Sequence, residues 1–149
     1  MSRASGGVDS VADLMSREVV TLLENDTLHV ADDVMGLARI RHMPMVDEEG
    51  AVVGLVSQRD LFRGALARTL GYGEFARQKL YGMLRVKDVM SKDIETISSG
   101  APLSEAARTM LDRKIGCLVV VDGSELVGIL TEGDFVGLAL APHEAEDSA

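Results

Sequence analysis

The sequence predicts an α/β (α+β) chain made of two β-α-β-β-α copies packed sheet to sheet with pseudo-two-fold symmetry. Three observations carry that expectation. One phrase is written twice, "GLVSQRD" at Gly54–Asp60 and "GILTEGD" at Gly128–Asp134. Around it the chain aligns with itself: "VADLMSREVVTL" (Val11–Leu22) matches "VKDVMSKDIETI" (Val86–Ile97), and "TLHVADDVMGLARIRHMPMVD" (Thr27–Asp47) matches "PLSEAARTMLDRKIGCLVVVD" (Pro102–Asp122). Within each copy, apolar residues pass from helical spacing to near-continuous runs.

Taken in order, "VVTLL" and "IETI" are rich in β-branched residues and read as short strands. Leu28, Ala31, Val34, Met35 and Ala38 then recur at helical spacing, as do Leu103, Ala106, Ala107, Met110 and Leu111. Pro102 suits the first turn of the latter helix, where its missing N–H costs nothing. "MPMVD" and "CLVVVD" read as strands that turn through "EEG" and "GSE" into "AVVGLVS" and "LVGILT". Such continuous apolar runs suit strands buried on both sides. A last helix follows each, from Gln58 to about Leu70 and from Glu132 to about Leu140. A unit of roughly 50 residues buries too little core alone, so the copies should pack on each other.

The expected organisation is a flexible N-terminus over 1–10, copies over 11–70 and 86–141, a helical connector over 71–85 and a disordered acidic tail over 142–149. From Phe62 to Arg85 the chain carries Arg63, Arg68, Arg77, Lys79 and Arg85 beside an apolar stripe. That pattern fits a solvated helix face, or an arginine reaching a bound anion.

A net charge of −9 and a pI near 4.7 argue against a nucleic-acid binder, which shows a basic face. Aromatic residues at 3 %, with no Trp, argue against a base-stacking surface. The single Cys117 can form no internal disulfide, and no Cys/His cluster has metal-ligand spacing. The polar opening "MSRASGGVDS" predicts no signal peptide, and no apolar run reaches the ~18 residues of a membrane span. The expected address is the cytoplasm. Met15 and Met90, at matched places, read as packing residues.

With "DLMS" and "DVMS" openings, "RIRHMPMVD" and "KIGCLVVVD" centres and "GLVSQRD" and "GILTEGD" closers, the chain resembles a tandem pair of CBS domains (a Bateman module) from about Val11 to Leu140. The resemblance implies clefts between the repeats that bind AMP, ADP, ATP or S-adenosylmethionine, with no required cofactor. It also implies dimerisation and regulation of a partner protein. The two copies fill the chain, so no attached catalytic domain is expected.

By the same resemblance, Asp60 with Ser57, and Asp134 with Thr131, would hold ribose hydroxyls and lie near a phosphate. A carboxylate can accept from two vicinal donors, and a helix N-terminus welcomes an anion. The same hydroxyl-x-x-aspartate also fits a helix capping box. Arg41 and His42, at the start of the central strand, make the site they form with Ser57 and Asp60 fit a phosphorylated ligand, and Met43, Pro44 and Arg59 are further expected ligand-binding residues there. The alternative for Arg41 and His42 is an exposed helix end. Gly116, Cys117 and Leu118 carry no charge, so the second site would favour adenosine-like ligands or stay empty. Thr21, Leu22 and Leu23, and Thr96, Ile97 and Ser98, would supply adenine contacts. The competing function is a dimerising adaptor with unused clefts. Catalysis is not expected, because His29, His42 and His143 are scattered and no nucleophile-base-orienter set is present.

Overall fold

The computed structural model describes residues 7–69, 79 and 82–147. The chain forms two compact units: a sheet-1 unit, Val20–Ile94, and a sheet-2 unit joining Met1–Val19 to Glu95–Ala149. In the sheet-1 unit, β1 (Leu22–Leu23), α1 (Leu28–Ala38), β2 (His42–Val46), β3 (Val52–Ser57) and α2 (Gln58–Thr69) follow one another. The sheet-2 unit repeats them as β4 (Thr96–Ile97), α3 (Leu103–Arg113), β5 (Cys117–Asp122), β6 (Glu125–Thr131) and α4 (Glu132–Asp147). Each sheet has three strands with β2 or β5 in the middle, parallel to the short first strand and antiparallel to the third.

The helices begin and end for local reasons. Thr27 caps α1 by accepting a hydrogen bond from the Val30 N–H at 3.3 Å. Pro102 occupies the cap position of α3 itself, one residue before the first turn expected for it. Both helices end on a left-handed residue, Arg39 (φ 57°) and Lys114 (φ 55°). Glycine is usual there, and a side chain costs roughly 1–2 kcal/mol. α4 runs on to Asp147 through the stretch expected to be a disordered tail, where Ala141, Glu144, Ala145 and Glu146 favour helix. Most of the connector expected over 71–85 lies outside the described residues, and so do residues 1–6 and 148–149.

The compact units are offset from the sequence repeats. The lead-in of each copy docks on the sheet of the other copy. Val11 and Met15 belong to the core built by Leu103, Ala106, Met110, Leu118, Val120 and Leu130. Val86 belongs to the core of Leu28, Ala31, Met35, Met43, Met45, Val56 and Leu61, with Met90 packed against it. Backbone hydrogen bonds repeat the exchange pair for pair. The Val11 N–H donates to Ala101 O, as Val86 N–H donates to Asp26 O. Ser16 and Ile129 exchange two bonds, as do Ser91 and Leu55. Each lead-in thereby covers part of the open edge of β6 or β3, a position that otherwise invites unwanted strand pairing.

That docking explains the glycine of the repeated phrase. A Cβ on Gly54 would stand 2.5 Å from Met90 Sδ and 3.1 Å from the Ser91 carbonyl oxygen. On Gly128 it would stand 2.5 Å from Met15 Sδ and 3.0 Å from the Ser16 oxygen. Met15 and Met90 are therefore packing residues. The third strands are not buried on both sides: in β3 Gly54 and Val56 are buried while Val53 and Leu55 are half-buried, and β6 alternates likewise. They lie at sheet edges, whereas the middle strands are buried almost throughout.

Candidate functional site

Strand register gathers the predicted residues at one end of each sheet. His42 pairs with Ser57 across β2 and β3, and Cys117 pairs with Thr131 across β5 and β6. The helix that follows is tied to the same corner. The Gln58 N–H donates to Arg41 O at 2.8 Å, and the Glu132 N–H donates to Gly116 O at 3.1 Å. Arg41, His42, Ser57, Arg59 and Asp60 thus share one corner, while Gly116, Cys117, Thr131 and Asp134 share its counterpart. Leu22 pairs with Met45 and Thr96 with Val119, so β1 and β4 flank the middle strand two to three residues further along. At ~3.3 Å per residue that is roughly 7–10 Å from the corner, within the length of a nucleoside.

Several predicted residues turn their side chains away from any ligand. Leu22, Met43 and Leu118 lie in the two cores and can offer only backbone groups. Pro44 is buried opposite Leu55. Leu23 faces a shallow depression of about 520 Å³ shared with Glu24, Asp26, Asp47, Glu48 and Glu49, beyond the other end of β2. Thr21, Thr96 and Ser98 are exposed, and Ile97 packs partly on its core.

Both aspartates are held by backbone. Asp60 Oδ2 accepts the Ser57 N–H at 2.9 Å, and Ser57 Oγ accepts the Asp60 N–H at 3.0 Å. Together these make a full reciprocal cap. Asp134 Oδ2 accepts the Thr131 N–H at 2.8 Å and the Thr131 hydroxyl at 3.3 Å. Each carboxylate uses a single oxygen for these bonds. Oδ1 is left as an acceptor aimed at no donor among the described residues.

The corners differ in charge. At matched positions the first has Arg41, His42, Gln58 and Arg59, while the second has Gly116, Cys117, Glu132 and Gly133. Glu132 escaped the sequence reading, hidden as a variable position inside the phrase. Its side chain lies over Gly116, with Oε1 2.5 Å from where a Cβ would be. Burial first, and the nearby Asp134 carboxylate second, push the Cys117 thiol up to about 12. Among the described residues no group of three or more His, Cys, Asp and Glu could hold a metal, and no helix is long and apolar enough to cross a membrane.

Two three-stranded αβ units of matching construction, each with an aspartate-capped helix after its third strand, define a duplicated α/β class of fold. CBS domain matches cover residues 11–66 and 86–140, so the chain belongs to the CBS domain family as a tandem pair. It is similar to AcuB of Vibrio cholerae, with 36 % identity, a TM-score of 0.78 and coverage of 96 % of this chain and 98 % of that one. It is also similar to the CBS pair of MJ0100 in complex with 5′-methylthioadenosine and S-adenosyl-L-methionine, at 25 % identity and TM-score 0.73, covering 91 % and 99 %. CBSX2 in complex with AMP gives 28 % identity and TM-score 0.72, covering 92 % and 99 %. The chain spans less than half the length of some curated relatives: 31 % and 42 % of two Methanocaldococcus jannaschii proteins, MJ1404 and MJ1225, and 23 % of a homoserine O-acetyltransferase of Methanococcoides burtonii.

Proposed function

We propose that this protein is a sensor of adenosine-containing ligands that regulates a protein partner rather than carrying out catalysis. The observation that carries the reading is the Asp60 carboxylate, held through one oxygen by the Ser57 N–H with its other oxygen meeting no donor among the described residues, in the corner that also holds Arg41 and Arg59. A ribose presents two vicinal hydroxyl donors, which suit a fixed carboxylate. Arg41 offers charge to a phosphate, and the positive end of α2 lies at the same corner. Thr21 in the first copy, and Thr96 and Ser98 in the second, are exposed and would meet the adenine. AMP in CBSX2, and the two adenosyl ligands of MJ0100, support this ligand class. The sheet-1 corner prefers the phosphorylated members.

Ligand acts by favouring one conformation, and it can shift the balance only by its difference in affinity between the two. The sensor works as a cytoplasmic homodimer; Leu37 and Leu111, 87 % and 77 % exposed, are apolar surface for such contacts. One observation favours the adaptor as a second reading: the Ser57–Asp60 exchange is already a complete helix cap without any ligand role.

Thermal unfolding with AMP, ADP, ATP and S-adenosylmethionine separates the two. At about one hundred times the dissociation constant a ligand adds about 2.7 kcal/mol, a rise of roughly 5–10 °C for this size. A selective rise that disappears in Asp60→Ala supports the sensor. A flat response across all four supports the adaptor.

A further inference from the structure

We infer that Glu132 sets the charge selectivity of the sheet-2 corner, which takes an adenosyl ligand with a neutral or cationic 5′ substituent and turns away 5′ phosphates. The inference rests on the adenosine-sensor reading and adds to it the residue that sorts the ligands.

The corners share their scaffold, so what stands on it decides what fits. In the sheet-1 unit the residue before the paired strand is Arg41, and the first residue of the following helix is the neutral Gln58. In the sheet-2 unit the same places hold Gly116 and Glu132. Gly116 has no side chain, and the Glu132 carboxylate lies in the space one would fill, with Oε1 2.5 Å from the ideal Cβ position. The Glu132 N–H is itself bonded to Gly116 O at 3.1 Å, which fixes the backbone of the residue that carries this carboxylate beside Gly116. An acid thus lies over the position at which the sister copy carries an arginine. Asp134, two residues further on, adds a second negative charge near enough to act on the Cys117 thiol.

A phosphate at this corner would meet two carboxylates and no arginine from the matched positions. A thioether is indifferent to them, and a sulfonium or ammonium group is attracted. The known ligands of similar CBS pairs fall on both sides of that division: AMP on one, 5′-methylthioadenosine and S-adenosyl-L-methionine on the other. This chain holds one corner of each kind.

Calorimetric titration of the full chain with AMP and with 5′-methylthioadenosine tests the assignment. An Asp60→Ala background silences the sheet-1 corner. In that background 5′-methylthioadenosine should bind and AMP should bind at least tenfold more weakly. Adding Glu132→Gln, which installs the sister copy's residue type, should strengthen AMP about tenfold by removing one nearby charge, and leave 5′-methylthioadenosine within twofold. Asp134→Ala should abolish both. If 5′-methylthioadenosine binds through Asp134 but Glu132→Gln leaves the AMP ratio unchanged, the role of Glu132 is overturned and the sensor reading stands. If neither compound binds the wild type at either corner, the sensor reading falls and takes this inference with it.

Discussion

At the end of sheet 1, Arg41 and Arg59 flank a capped Asp60. At the matching end of sheet 2, glycines replace both arginines, and Glu132 joins a capped Asp134. The backbone that holds these corners together is the same: the strand register, the helix start bonded to the residue before the middle strand, and the lead-in of the opposite copy laid over the third strand. Duplication has kept the backbone bonds and let the side chains on them diverge. Residues equal in both copies therefore build the fold, and on the proposed function the residues that differ between copies would set what each corner holds. Asp60 and Asp134 belong to both groups, since each caps a helix with one oxygen and offers the other.

That division can be broken in several ways. The largest expected effect concerns Cys117, which takes the place of His42. With its thiol pushed up to about 12 from 9.0, the reactive thiolate should be about a thousandfold scarcer than for a free cysteine near pH 8. Alkylation followed by mass spectrometry should show modification only at the rate of unfolding. Prompt labelling of the native protein would mean that the sheet-2 corner is open at Cys117.

Next come the shared glycines. Gly54→Ala and Gly128→Ala each drive a Cβ into a methionine and against a backbone oxygen that cannot move aside. Each should cost about 2–3 kcal/mol in urea unfolding. The two losses should agree, because the contacts agree to 0.1 Å. Unequal losses would show that one lead-in docks less firmly.

Arg41→Ala should weaken AMP roughly tenfold or more while leaving 5′-methylthioadenosine unchanged, as expected for a charge-assisted bond to phosphate alone. Equal loss of both ligands would make Arg41 a structural residue.

The smallest effect lies in the turns. Ser99 donates its hydroxyl at 2.6 Å and its N–H at 2.9 Å to Asp122, and these bonds lower that carboxyl below its usual range. The matched Asp47 is instead bonded within its own turn, by the N–H groups of Glu49 and Ala51. A lowered folded value means that the fold binds fewer protons than the unfolded chain. The resulting stability is present above the ordinary aspartate range and is lost as pH falls through the folded value. Ser99→Ala should shrink the acid-side loss of stability slightly. An unchanged acid limb would mean that the exposed bonds contribute nothing.

Much of this was legible in the sequence because it is written locally and twice. The helix over Leu28–Ala38 follows its apolar spacing to the residue, and β5 coincides with "CLVVVD". The first strands of each copy shrank to two residues, since they pair along only part of the middle strand. The exchange of lead-ins left no local mark. Val11 and Val86 look alike, and nothing in either stretch says which sheet it will cover. The repeated Met and Gly carried a signal, but a contact between positions 54 and 90 becomes visible only when strand edges meet in space. At the corners, the hydroxyl-x-x-aspartate pattern pointed to both ribose and helix cap, and the structure forms the cap. Glu132 was masked by its variable place in the phrase. Reading the differences between copies, rather than their likeness, would have picked it out.

On the proposed function the two corners bind adenosine ligands and sort them by charge. An AMP titration of the wild type, Asp60→Ala and Asp134→Ala, followed by calorimetry, tests it most directly. One AMP site of useful affinity per chain is expected, lost in Asp60→Ala and retained in Asp134→Ala. Binding lost only in Asp134→Ala, or two equal sites, would contradict it.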